Sequence, residues 1–146
     1  MSQAGELDAA IGTLLRVLTI DERQLLTGLG TIPINPLDLE TLSYLHHAPG
    51  SVAKDVAAHL GVRATTMQSV VDRLQKRGLV VRNATALKGR AVALTLTGNG
   101  LDFWDRIKAQ NIKNCDQMLL YIAEDERAAF VRNMAIIAQK YAEKGD

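Results

Sequence analysis

Residues 53–82, AKDVAAHLGVRATTMQSVVDRLQKRGLVVR, carry two short apolar repeats of helical period joined at a glycine, and this pairing constrains the fold more than anything else in the chain. The first repeat sets Val56, Ala57 and Leu60 on one face. The second sets Met67, Val70, Val71 and Leu74 at i, i+3, i+4, i+7 spacing. Ala57 is small enough for two helix axes to approach closely, and Gly61 supplies the left-handed backbone of a tight turn without a Cβ clash. Two helices joined this way read as a helix-turn-helix, a layout whose second helix enters the DNA major groove. An ordinary helical hairpin with a solvated face shares the pattern, so the neighbouring segments must decide between the two.

Opposite the apolar stripe the second helix carries Thr65, Ser69, Asp72, Arg73 and Lys76, flanked by Thr66 and Gln68. Thr65, Thr66, Gln68 and Ser69 lie towards its start, where hydroxyl and amide groups meet base edges. Arg73 and Lys76 lie nearer its end, where the phosphate backbone passes. After Gly78 the period changes to extended: residues 79–82 read as one strand and 91–96 as its partner. Between them NATALKGR reads as a loop with Gly89 at the turn and Lys88 and Arg90 beside it. A hairpin appended to a helix-turn-helix is a wing, and Arg90 at its tip suits a narrow A·T-rich minor groove.

The distribution of charge agrees, although the total of +1 is nearly neutral. Residues 1–62 hold three basic and seven acidic groups, a net −4, and residues 91–146 hold seven basic and eight acidic groups, a net −1. Residues 63–90 hold seven basic groups against Asp72 alone, a net +6 on the second helix and wing, where an electrostatic footprint for DNA belongs.

On these residues the chain resembles the MarR family of bacterial transcriptional regulators. The resemblance is carried by the A-x-x-L-G-V turn (Ala57, Leu60, Gly61, Val62), V-D-R-L (Val71 to Leu74), R-G-L-V-x-R (Arg77 to Arg82) and L-T-x-x-G (Leu96, Thr97, Gly100). It implies a homodimeric winged helix-turn-helix regulator of double-stranded DNA, often with a small-molecule or oxidant sensor between its lobes. It also implies that a wing arginine, here Arg90, enters the minor groove. The chain departs from the pattern twice. The wing usually reads Asp-Arg-Arg, where this chain has Lys88, Gly89 and Arg90, so the acid that would orient the arginine is missing. The recognition helix usually opens on Ser, where this chain has Arg63. An arginine cannot accept a bond from the first helical amides, and Arg63 is instead placed to touch a phosphate.

The expected fold is mainly α with a small β-hairpin wing: an N-terminal dimerisation helix in 1–34, a winged helix-turn-helix in 35–100 and C-terminal dimerisation helices in 101–146. Leu7, Ile11, Leu14, Leu18, Leu25 and Leu29 stripe the first helix. GTIPINP breaks it, with Asn35 as N-cap and Pro36 at the first position of a helix over 37–48 whose Leu39, Leu42 and Leu45 point inward. Thr97 caps a long helix carrying Phe103, Trp104, Ile107, Ile112, Met118, Leu119 and Ile122. Glu124, Asp125 and Glu126 suit the positive end of a last helix with Phe130, Met134, Ile137 and Tyr141. Such stripes are more than a small winged domain can bury alone, and a two-fold dimer resolves them. The resemblance further implies that a small aromatic or phenolic acid releases DNA from a cleft, for which Tyr44, His47, Phe103 and Trp104 are the candidate lining.

An enzyme fits poorly. Gly28-Leu29-Gly30 and Gly98-Asn99-Gly100 are too short to cradle a phosphate, and His46, His47 and His59 have no nucleophile beside them in any motif. No cofactor and no metal site is expected. Adjacent His46 and His47 diverge by about 100° on a helix, and their spacing to His59 and Cys115 matches no zinc pattern. A metal-responsive or redox-responsive regulator of the same fold and a winged helix that binds only protein are the alternatives. Cys115, between Ile112 and Leu119, reads as a small apolar filler. With one cysteine, no apolar run of about 18 residues and no signal-peptide pattern at the N-terminus, the expected location is cytoplasmic, away from the membrane.

Overall fold

The stripe of the second helix becomes the centre of a hydrophobic core: Met67, Val70, Val71 and Leu74 are each 0% exposed. Burying side chains of this size contributes about 1.5–3 kcal/mol apiece, so this one helical face is a principal source of the winged domain's stability. The computed structural model describes residues 2–28, 34–88 and 91–144, and the side chains among them other than those of 19–28, 84–88 and 91. The Leu25 and Lys88 side chains, Leu29, Gly89 and Arg90 therefore lie outside what the structure describes.

The elements follow in the order α1 (Gln3–Gly28), α2 (Pro36–His47), β1 (Ser51–Val52), α3 (Ala53–Leu60), α4 (Ala64–Lys76), β2 (Val80–Lys88), β3 (Ala91–Leu96), α5 (Gly98–Leu120) and α6 (Arg127–Lys144). A short 3-10 turn at Glu124–Glu126 precedes α6. Two compact units result, Met1–Lys108 and Ala109–Asp146, the division falling inside α5. No helix of the described residues is long and apolar enough to cross a membrane.

The start of α2 follows the sequence. The Asn35 side chain accepts the Asp38 amide at 2.8 Å, and Pro36 fills the first helical position, where a missing N–H costs nothing. Leu42 and Leu45 then enter the core with Val56 and Ala57 of α3. Gly61 closes α3 at φ 69°, ψ 32°, while the Val62 amide reaches back to the Ala57 carbonyl at 3.0 Å.

The sheet differs from expectation in two ways. It has three antiparallel strands in the order β1-β3-β2, because Ser51 and Val52 pair with Leu94 and Ala93. A two-residue strand has no readable period, and it forms only because β3 offers it an edge. The segment expected as a loop after Arg82 is strand as far as Lys88, with an irregular register between Asn83 and Lys88. Pairing with β3 at Asn83 and again at Lys88 brackets the extended backbone of NATALK, whose middle residues are unpaired in the register and show no apolar alternation.

Thr97 ties the parts together. Its Oγ1 accepts the Gly100 amide at 3.0 Å, capping α5, and donates to the Gly78 carbonyl at 2.5 Å. Its own amide donates to Leu79 O at 3.0 Å. Gly100 completes this junction: a Cβ there would lie 2.0 Å from Leu79 O. One helical turn on, Phe103 and Ile107 bury into the same core. In the second unit Cys115 is exposed, not a buried filler, and its neighbours Ile112, Asp116 and Lys113 are exposed with it.

Candidate nucleic-acid interface

Every polar residue of α4 singled out above is on its open side: Thr65, Thr66, Gln68, Ser69, Asp72, Arg73 and Lys76 are all exposed. The arrangement follows from the buried stripe, which consumes one face of the helix and leaves these groups on the other. Arg63 precedes the first helical residue in extended backbone and makes no side-chain cap, so its guanidinium is exposed at the positive end of the helix. The Ser69 hydroxyl donates to the Thr65 carbonyl at 3.3 Å, one turn back.

Two arginines of the basic segment have partners inside the protein. Arg73, expected on phosphate, donates from Nη2 to Asp38 Oδ1 at 2.7 Å, and the Asp38 side chain is only 4% exposed against 45% for Arg73. Asp38 is the acidic residue in the first turn of α2, so this pair braces α2 against the recognition helix. Arg82, at the start of β2, reaches across the flank of α4. Its Nη2 donates to Asp72 Oδ1 at 2.7 Å and to Gln68 Oε1 at 3.2 Å, and its Nη1 donates to Gln75 Oε1. Gln68, Asp72 and Gln75 stand at i, i+4 and i+7, so a strand-borne arginine can span all three. Asp72, the one acid of the basic segment, is thereby neutralised. Sequence reasoning singled out neither Asp38 nor Arg82 for these contacts. Nothing local marks Asp38 with Arg73, whereas the ten-residue step from Asp72 to Arg82 across a helix-to-strand turn was a signal that went unused.

The candidate ligand residues do not share one place. Tyr44 and His47 line a hollow of about 270 Å³ between α2 and α3, together with Glu40, Ser43, Ala48, His59 and Leu60. The Tyr44 and His59 rings are tilted, 4.8 Å apart. His47 Nδ1 lies 2.8 Å from the Ser43 carbonyl, which can only accept, so this nitrogen carries the proton and Nε2 is left as the acceptor in the neutral ring. Phe103 is part of the core, and Trp104 stacks obliquely near His46 at 5.6 Å. No cluster of three or more metal-ligating side chains occurs among the described residues.

Comparison with known proteins bears on this geometry. The sequence model described as MarR family matches residues 32–91, from the approach to α2 to the first residue of β3. The HTH-type transcriptional repressor Rv2887 of Mycobacterium tuberculosis is 29% identical over 103 residues, covering 70% of this chain and 74% of that protein. The structure of Streptococcus pneumoniae FabT, solved in complex with DNA, superposes with a TM-score of 0.78 at 19% identity, covering 97% of this chain and 99% of that one. The PcaV transcriptional regulator of Streptomyces coelicolor, solved with its natural ligand, is 28% identical with a TM-score of 0.55, covering 88% of this chain and 91% of that one. The family match falls on the helix-turn-helix and the first wing strand built above, and the fold likeness extends over nearly the whole chain. Residues 32–91 match the MarR family of winged helix-turn-helix regulators, and nearly the whole chain shares the fold of the solved structures.

Proposed function

We propose that the protein acts as a homodimer on a pseudo-palindromic operator, reading base edges with Thr65, Thr66, Gln68 and Ser69. In this reading Arg63, Lys76 and Lys88 hold phosphates and Arg90 enters the minor groove. Arg73 acts chiefly through Asp38 as a positioning residue. The observation that carries the reading is the exposed polar face of α4, set by the buried Met67–Leu74 stripe beside a basic wing. Dimerisation is supported by apolar side chains that the single chain leaves open: Leu7 58%, Leu15 63%, Met134 51% and Ile137 48% exposed, on α1 and α6. A two-fold axis lets one surface cover its own copy.

A small aromatic or phenolic acid is the proposed effector: the Tyr44, His47 and His59 hollow supports the aromatic character, and the natural ligand held in the PcaV structure supports only that a regulator of this fold binds a ligand. Tyr44 and His47 carry this role. Phe103, in the core, and Trp104, beside His46, are not part of the lining and carry no ligand role in this reading. To empty the operator, such a ligand must favour the DNA-incompetent dimer by about 5.5 kcal/mol.

Footprinting on the gene's own upstream region tests the operator reading. One dimer should protect two half-sites about 10 bp apart on one face of the duplex. Binding confined to single strands would end it. Operators differing in A·T content at the flanks test the wing, since Arg90→Ala should lose most affinity where the flank is A·T-rich.

A further inference from the structure

We propose that Arg82 is a specificity-determining residue: it sets which way the Gln68 amide faces and so which bases Gln68 can read. The inference rests on the reading of α4 as the groove-entering helix and adds to it the direction of one hydrogen-bonding group. A guanidinium has five N–H groups and no acceptor, so the atom of Gln68 that faces Arg82 at 3.2 Å has to be the carbonyl oxygen. The amide N–H2 is turned away from Arg82, to the open side of the helix. Arg82 is held there by two further contacts, to Asp72 at 2.7 Å and to Gln75, and its side chain is 31% exposed. The guanidinium is thus a fixed fork and not a mobile side chain that Gln68 happens to meet.

The chemical consequence is selective. A glutamine recognises adenine by using both ends of its amide, the oxygen accepting from N6–H and the nitrogen donating to N7. With its oxygen turned to Arg82, Gln68 meets a base edge chiefly through its N–H2 donors, and the two-ended adenine pairing requires the oxygen to share or give up its bond to Arg82. Guanine, with N7 and O6 both acceptors, suits such a group best, and thymine O4 next. Arg82 therefore converts a residue with a natural adenine preference into a reader of acceptor edges, without itself touching a base. It also cancels the Asp72 charge, which would otherwise face the phosphates.

Selection of the full-length protein from a randomised duplex library tests this, comparing wild type, Arg82→Ala, Arg82→Lys, Gln68→Ala and the Arg82→Ala/Gln68→Ala double variant. Thermal unfolding establishes that each is folded, and Arg82→Lys keeps the charge while its single nitrogen lacks the planar fork whose two nitrogens reach Gln68, Asp72 and Gln75. The base pair read by Gln68 is the one whose preference disappears in Gln68→Ala. There the wild type should favour guanine over adenine by roughly tenfold. Both Arg82 variants should lose or reverse that preference, and the double variant should match Gln68→Ala. The inference is overturned if the guanine preference survives both Arg82 substitutions, if the wild type prefers adenine there, or if Gln68→Ala changes no preference. Failure of the wild type to select any duplex sequence is a separate result, and it would remove the groove-reading proposal itself.

Discussion

Replacing Arg73 with alanine separates a structural arginine from a phosphate-binding one. Its guanidinium lies 2.7 Å from Asp38, whose side chain is 4% exposed. Breaking a fully buried pair costs about 3–5 kcal/mol because the remaining charge is stranded, while an exposed pair is worth about 0–1 kcal/mol. Arg73 is 45% exposed, so water can enter the vacated space and part of the penalty is screened. About 2 kcal/mol is the expected loss. For a chain of this size that is a fall in Tm of roughly 4–8 °C, read by differential scanning calorimetry. Asp38→Asn should cost less, since it removes the stranded charge, and in its background Arg73→Ala should cost well under 1 kcal/mol. Measured well below the melting transition, the salt dependence of operator binding should be nearly unchanged. If Arg73→Ala melts like the wild type and instead flattens the salt dependence by about one unit per protomer, Arg73 is a phosphate ligand and the bracing argument is wrong.

The other predictions are brief. Gly100→Ala should destabilise by about 3 kcal/mol or more, because its Cβ would lie 2.0 Å from Leu79 O and neither backbone can yield without breaking the Thr97 junction; chemical denaturation reads this directly. Ile137→Lys, on the open face of α6, should shift sedimentation towards the monomer and lower operator affinity together, while leaving helicity intact. Cys115→Ser should bind operator as the wild type does and respond to peroxide no differently, since the chain holds no second cysteine to resolve an oxidised thiol within one protomer.

The parts of this structure that could be read from sequence are those decided within one helix or turn. The α4 stripe, the Gly61 turn, the Asn35–Pro36 start of α2 and the Thr97 cap each rest on residues a few positions apart, where periodicity and capping chemistry act directly. The strand β3 was legible because AVALTL is continuously apolar or β-branched between turn residues. What was not legible depends on contacts between distant positions. The extension of β2 through Lys88 and the existence of β1 are imposed by β3. The Asp38–Arg73 pair joins residues 35 apart, so Arg73 looked free for phosphate. The same limit explains the ligand residues. Phe103 shares a helical face with Ile107 and goes to the core, while Tyr44 and His47 face α3.

The central claim, that α4 and the wing form a duplex-binding surface, is tested most directly by the salt dependence of binding to the footprinted operator. Arg63, Lys76 and Lys88 of two protomers would neutralise about six phosphates, so log K should fall against log salt with a slope of roughly −5. Lys76→Ala should make that slope shallower by about two units in the dimer, without changing which bases are preferred. A slope near zero, or equal affinity for duplex and single strand, would contradict the account.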